Sequence, residues 1–197
     1  EAFIKPGECK KPRYVVQKSI TATLDFAASM AQAARIYKNI EDYAATAMVM
    51  EQAAEAAFSW ALEHPEALYN QFRMNEQFSP AIHTGAYGDF SAGDEFFWAS
   101  CELYLTTGKE IYLKKAMEYA PERFSAPTWG NVSGLGIFAL LTHNKATGLM
   151  KEQLVAFCDS VVSLAGGAPF ASSYGNSARD FYWGCLSESC CGNAISL

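Results

Sequence analysis

Nowhere in the 197 residues do about 18 apolar side chains run together, the length a helix needs to cross a bilayer. Positive charge is also scarce. Fifteen Lys and Arg stand against 21 Asp and Glu, and the net charge of −6 leaves no basic face for a nucleic acid. The six cysteines include no CxxC pair and no Cys/His group at zinc spacing. Adjacent Cys190 and Cys191 point to different faces of a helix and are not expected to bond each other; most of the six read as buried thiols acting as small hydrophobes, and the redox compartment is not legible from them. None of the three histidines, His64, His83 and His143, has a metal-ligand partner at useful spacing. Strand-forming runs are missing too; Val15-Val16 is too little for a sheet. The opening Glu1-Ala-Phe-Ile-Lys-Pro6 carries no charged, apolar, small-residue leader, and reads as the middle of something already exported or never exported.

What the chain does have is apolar bulk. Half of it is hydrophobic and 14% is aromatic, enough for one core or for part of a larger domain. Pro6, Gly7 and Pro12 mark residues up to about 18 as loop. Ser19 reads as the N-cap of a long helix with Leu24, Ala27, Ala28, Ala31, Ala34 and Tyr37 at helical spacing, its alanines predicting close approach to a neighbouring helix. A second helix is predicted from about Asp42 to Glu63, with Ala44, Ala47, Met48, Ala54, Phe58 and Leu62 as its stripe and Pro65 as its stop. A polar connection rich in Asn and Gln follows. Further helices are predicted near 94–107, 109–119, 132–143, 149–164 and 180–197, with Gly108 as the residue that ends the first of these.

This is an all-α pattern of about seven helices that pair into hairpins. The connections are asymmetric: residues 84–93, 126–131 and 170–176 are long and aromatic, whereas 106–109 and 144–148 are short and polar. A toroid of helical hairpins with one functional face produces that asymmetry. The last predicted helix stays amphipathic to Leu197 with no cap or glycine stop, which predicts an interior piece of a larger domain.

The most informative run is Thr84-Gly-Ala-Tyr-Gly-Asp-Phe-Ser-Ala-Gly-Asp-Glu-Phe-Phe-Trp-Ala99, a glycine-rich acidic loop that leads straight into an apolar helix. Asp94 and Glu95 stand where the helix begins, and negative charge is welcome there. Pyranose rings present apolar CH faces that flat aromatic surfaces cover, so Tyr87 in this loop and Trp129 in the Pro127–Gly130 turn are candidate sugar platforms; each has loop packing as its alternative. Phe97 and Trp98 read as core, and Trp60, mid-helix, as packing.

Three stretches together resemble glycoside hydrolase family 9, the inverting cellulases built on an (α/α)6 barrel. They are Pro12–Tyr37 with its Ala22-Thr-Leu-Asp-Phe-Ala-Ala28 centre, Thr84–Ala99 continued by Glu102–Gly108, and Asp180-Phe-Tyr-Trp-Gly184; Trp129–Gly136 is a weaker fourth. The resemblance implies that residues 1–197 are the central segment of one catalytic (α/α)6 domain, an incomplete sector of the ring. It implies hydrolysis of β-1,4-glucosidic bonds with inversion, a β-glucan as partner together with the remainder of the same catalytic domain, and a secreted, periplasmic or cell-surface location.

No catalytic residue is expected in this segment. In the family the base comes from an Asp-Ala-Gly-Asp motif upstream and the acid is a glutamate near the far C-terminus. Ser91-Ala-Gly-Asp94 resembles the base motif only superficially, with Ser where the first Asp belongs. Asp94 and Glu95 are consecutive and diverge on a helix, so they are not expected to be the pair.

Trp183 matches the family's cleft tryptophan, with Ser187 where relatives often carry an arginine. No cofactor is required, but some relatives bind calcium through a Ser-Gly…Asp-Glu loop and a later Asp. Ser91, Asp94 and Glu95 match the first part, while Gly130 stands where the later Asp falls, leaving the set one ligand short. The alternative is that Asp94 caps its helix and Asp89 orders the loop through backbone hydrogen bonds. A non-catalytic glucan-binding or scaffold protein on the same barrel is the rival reading. An (α/α)-barrel polysaccharide lyase is a weaker one, disfavoured by the acidic balance.

Overall fold

A computed structural model describes residues 5–10, 12–86, 88–168 and 171. They form seven α-helices: α1 Ile20–Tyr37, α2 Ala44–Glu63, α3 Gln71–Gln77, α4 Gly93–Thr107, α5 Glu110–Glu118, α6 Ser133–Thr142 and α7 Gly148–Gly167. Among the described residues the only extended pairing is an isolated bridge between Thr128 and Asn131. The predicted helix at 180–197 lies outside the described residues. One helix, α3, appears where a polar connection was expected. Asn70 caps it by accepting a hydrogen bond from the Arg73 backbone N–H.

The alanines of α1 do what their spacing predicts. Ala27, Ala28 and Ala31 are fully buried, and α1 packs closely against both α2 and α4. Its expected stripe ends a turn early, because Tyr37 is exposed. On α2 the buried face runs through Ala47, Ala54, Phe58 and Ala61, so Met48 and Leu62 fall outside it and are exposed.

Helix α4 is the central element. Phe96 faces a cluster with Leu24, Ala28, Phe58 and Leu103, while its neighbour Phe97 faces another with Cys101, Phe124, Ile137, Leu140 and Met150. Two consecutive aromatics thus bury on opposite sides, which requires helices on both flanks. Helices α1 and α6 lie beside α4, α5 returns against it, and α7 contributes Met150 to the second cluster. Gly108, at φ 70°, ends α4 in the left-handed conformation expected of it.

The hairpins therefore arrange α1, α4 and α6 side by side, with α2 and α5 packed against them. That is a sector of the expected helical toroid. The flank made by α1 and α2 carries Phe26, Ile36, Tyr43, Met48, Val49 and Leu62 as exposed large hydrophobics.

Close approach of α4 and α6 depends on one glycine. A Cβ on Gly136 would come within 2.8 Å of the Phe97 ring and 3.2 Å of the Cys101 sulfur, both fully buried. Gly136→Ala is expected to destabilise by about 1–3 kcal/mol through overpacking, read as a drop in the urea midpoint with an unchanged slope.

Candidate functional site at the shared helix ends

The N-terminal ends of α1, α4 and α6 meet at one end of the sector. Two of the three long aromatic connections come together there. A cavity of about 1200 Å³ is lined by Ser19, Asp25, Phe26, Trp60, Tyr69, Gln71, Thr84, Asp89 and Trp129, among others. Residues of the 84–93 and 126–131 connections thus share one face. Nearly all of 170–176 lies outside the described residues.

Trp129 is 65% exposed and contributes to the cavity wall, as a sugar platform requires. Tyr87 and Trp183 lie outside the described residues. Trp60 also borders the cavity, but the Lys18 ammonium sits 3.8 Å above its ring and His64 packs 4.5 Å away, which suits the expected packing role.

Four carboxyl groups gather behind this wall. Asp89 lines the cavity and has a raised pKa, first from burial and then from the Asp94 charge. Asp94 does not cap its own helix. The N-cap position of α4 is Ala92, and Asp94 Oδ2 instead accepts a 2.8 Å hydrogen bond from the Val132 N–H at the start of α6. The acidic loop is thereby tied to the Trp129 turn, 38 residues away in sequence. Glu95 is buried, and its Oε2 has no hydrogen-bond partner among the described residues. Burial, then the Asp94 charge, pushes its pKa up to about 8. Consecutive placement therefore does not keep Asp94 and Glu95 electrostatically apart.

The fourth carboxyl, Asp25, is absent from the sequence-based site. It lines the cavity from the second turn of α1, its Oδ1 lacks a partner among the described residues, and burial followed by Asp89 and Asp94 raises its pKa to about 6. A carboxylate set between Leu24 and Phe26 in an otherwise apolar stretch was the available signal. Ser91 stays in the loop just ahead of α4, and Phe90 beside it is fully exposed.

Orphaned carboxylate oxygens on Asp25 and Glu95 suit a hard cation. Among the described residues, though, no three acidic, Cys or His side chains are already placed as a ligand set. Nor is any helix among them long and apolar enough to cross a membrane.

Comparison with known proteins accounts for this architecture. The family model for glycosyl hydrolase family 9 matches residues 2–196. The xyloglucan-specific endo-beta-1,4-glucanase BoGH9A of Bacteroides ovatus is 48% identical over 206 residues, which cover 100% of this chain and 35% of that protein. A cellulose 1,4-beta-cellobiosidase of Acetivibrio thermocellus is 36% identical over 156 residues, covering 68% of this chain and 16% of its own length. Among solved structures, a Bacteroides ovatus GH9 protein superimposes with a TM-score of 0.92 over 100% of this chain and 38% of its own. A thermostable endoglucanase from Alicyclobacillus acidocaldarius, in a single-mutant form, gives 0.81 at 25% identity over 98% of this chain and 36% of its own. The sequence-derived toroid and the observed sector are thus those of a known barrel, of which the chain spans about a third. The chain therefore belongs to glycosyl hydrolase family 9.

Proposed function

We propose that these residues form part of the cleft wall of an endo-β-1,4-glucanase that hydrolyses cellulose or a related β-glucan with inversion. The observation that carries the proposal is the convergence of exposed Trp129 and the Asp89 loop on one large cavity at the shared ends of α1, α4 and α6. Trp129 serves as a platform for a sugar ring, together with Tyr87 and Trp183. Asp89 orders the loop, and Asp94 locks that loop to the Trp129 turn.

Inversion needs two carboxyl groups roughly 6.5–9.5 Å apart across the scissile bond, one protonating the leaving oxygen and one activating water. Within this segment the carboxyls cluster on one wall and are burdened by one another's charge, which suits structural work better than acid and base work on opposite faces. The catalytic pair is assigned to the remainder of the domain. The exposed apolar flank of α1 and α2 is where neighbouring helices of that remainder would pack. The cleft of a polymer-degrading enzyme of this family belongs outside the cytoplasm, which agrees with a secreted, periplasmic or cell-surface location.

Calcium, when bound, would be held by Ser91, Asp94 and Glu95. It would neutralise the charge these acids accumulate and stiffen the loop.

Titration of the chain with xyloglucan and cello-oligosaccharides, followed by tryptophan fluorescence, tests the wall. Trp129→Ala is expected to weaken binding about tenfold, within the range reported for aromatic contacts. Equal affinity of the two proteins would remove Trp129 from the platform.

A further inference from the structure

The unexpected helix α3 holds the loop that forms the cavity wall. Asn75 makes two hydrogen bonds to one residue: its Oδ1 accepts from the Ile82 N–H at 2.7 Å, and its Nδ2 donates to the Ile82 carbonyl at 2.9 Å. A carboxamide that binds both backbone groups of one residue copies a rung of a β-ladder and fixes that residue in position and direction.

One turn earlier, Gln71 Nε2 donates to the Thr84 carbonyl at 2.9 Å and reaches the Ile82 carbonyl at 3.4 Å. Gln71 is itself oriented by the Tyr69 hydroxyl, which donates to Gln71 Oε1 at 3.3 Å. The carbonyl of Tyr69 lies so close to Gly88 that a Cβ there would sit 2.8 Å from its oxygen. Contacts from 69–75 therefore grip the loop at Ile82, Thr84 and Gly88, immediately before Asp89.

Tyr69, Gln71, Ile82, Thr84, Gly85 and Asp89 all line the same cavity. Helix α3 buries no residue fully, so core packing does not explain its presence.

From this geometry we infer that Asn75 and Gln71 are positioning residues that set the loop against the substrate. This role rests on the glucan-cleft reading above, whereas the clamp itself does not. Removing both Asn75 hydrogen bonds frees residues 82–89 to open without melting the α1–α4 core.

Amide hydrogen exchange on the full chain, with and without xyloglucan oligosaccharides, tests it. Asn75→Ala should speed exchange at the Ile82 amide, whose N–H loses its acceptor, roughly thirtyfold, the loss of about two net hydrogen bonds, and should leave α1 and α4 amides unchanged. Asn75→Asp keeps the acceptor and should fall between the two. The loosened loop should also lose the protection that oligosaccharide confers on the original chain.

Unchanged exchange at the Ile82 amide in Asn75→Ala would overturn the clamp. A loop that loosens as expected, in a chain that no oligosaccharide protects even before mutation, would overturn the glucan reading and with it the positioning role. Full oligosaccharide protection in Asn75→Ala despite a loosened loop would overturn the positioning role alone.

Discussion

Glu102→Ala should be the most damaging single change in the described chain, costing about 3–5 kcal/mol. Glu102 is almost fully buried between α1 and α4, and its charge is met from three sides. Arg35 Nη2 lies 2.5 Å from Oε2, and the Gln32 amide and the Trp98 indole N–H each donate to Oε1 at 3.3 Å. Arg35 Nη1 also donates to Thr106 Oγ1 at 2.8 Å and to the Glu102 carbonyl at 3.3 Å, and Thr106 in turn donates to the Ala31 carbonyl at 2.7 Å.

Removing the carboxylate leaves a guanidinium that is 13% exposed without its counter-ion, so the cost is mostly the stranded charge. The double change Arg35→Met with Glu102→Met should recover most of the loss, because no charge is then stranded. Equilibrium urea unfolding of the original chain, Arg35→Met, Glu102→Met and the double variant gives the coupling directly. Additive losses would mean that the pair is not a unit.

The second large effect is a gain. Glu95 ordinarily titrates near 4.5, and in the folded chain its pKa is raised to about 8 by burial and then by Asp94. A carboxyl whose folded pKa is raised is favourable to folding while protonated. Its contribution is complete below about pH 4.5 and is lost as pH climbs through about 8.

Glu95→Gln keeps the shape and cannot ionise. In calcium-free buffer its stability should come closest to that of the original chain near pH 4.5 and exceed it by a growing margin as pH rises toward 8. Asp25 shifts in the same direction, to about 6, but contributes equally to both proteins and cancels in the difference. Added calcium should raise the melting temperature of the original chain and do little for Glu95→Gln. A stability difference that is flat with pH would show that Glu95 ionises freely, and an equal calcium effect on both proteins would remove Glu95 from the ion's ligands.

Much of the architecture is legible from spacing alone. Leu24, Ala27, Ala28, Ala31 and Ala34 announce α1 because a helix repeats its buried face every three or four residues, and all five are buried. Helix α3 is not legible in that way. At seven residues with no buried side chain it has no apolar period, and only Asn70 ahead of Arg73 hints at its start.

The site divides along the same line. Asp89, Asp94 and Trp129 stand out in their loops by residue type, and the structure brings those loops together. The partners that give them meaning do not stand out. Val132 is 38 residues from Asp94, and Glu102 is 67 from Arg35. Asp25 sits in an apolar helical stretch, and its altered chemistry arises only once Asp89 and Asp94 fold over it. Long-range pairing of charged groups leaves no periodic trace in a single sequence.

On the proposed reading this chain is a wall-forming sector of a glucan-cleaving barrel whose acid and base lie elsewhere in the domain. Exchanging these 197 residues for the corresponding 35% of the Bacteroides ovatus xyloglucan-specific enzyme tests it most directly. The chimera, followed by NMR during hydrolysis of a xyloglucan oligosaccharide, should release product first as the α-anomer, and the chain alone should release none. Cleavage by the isolated chain, or initial release of the β-anomer by the chimera, would contradict the account.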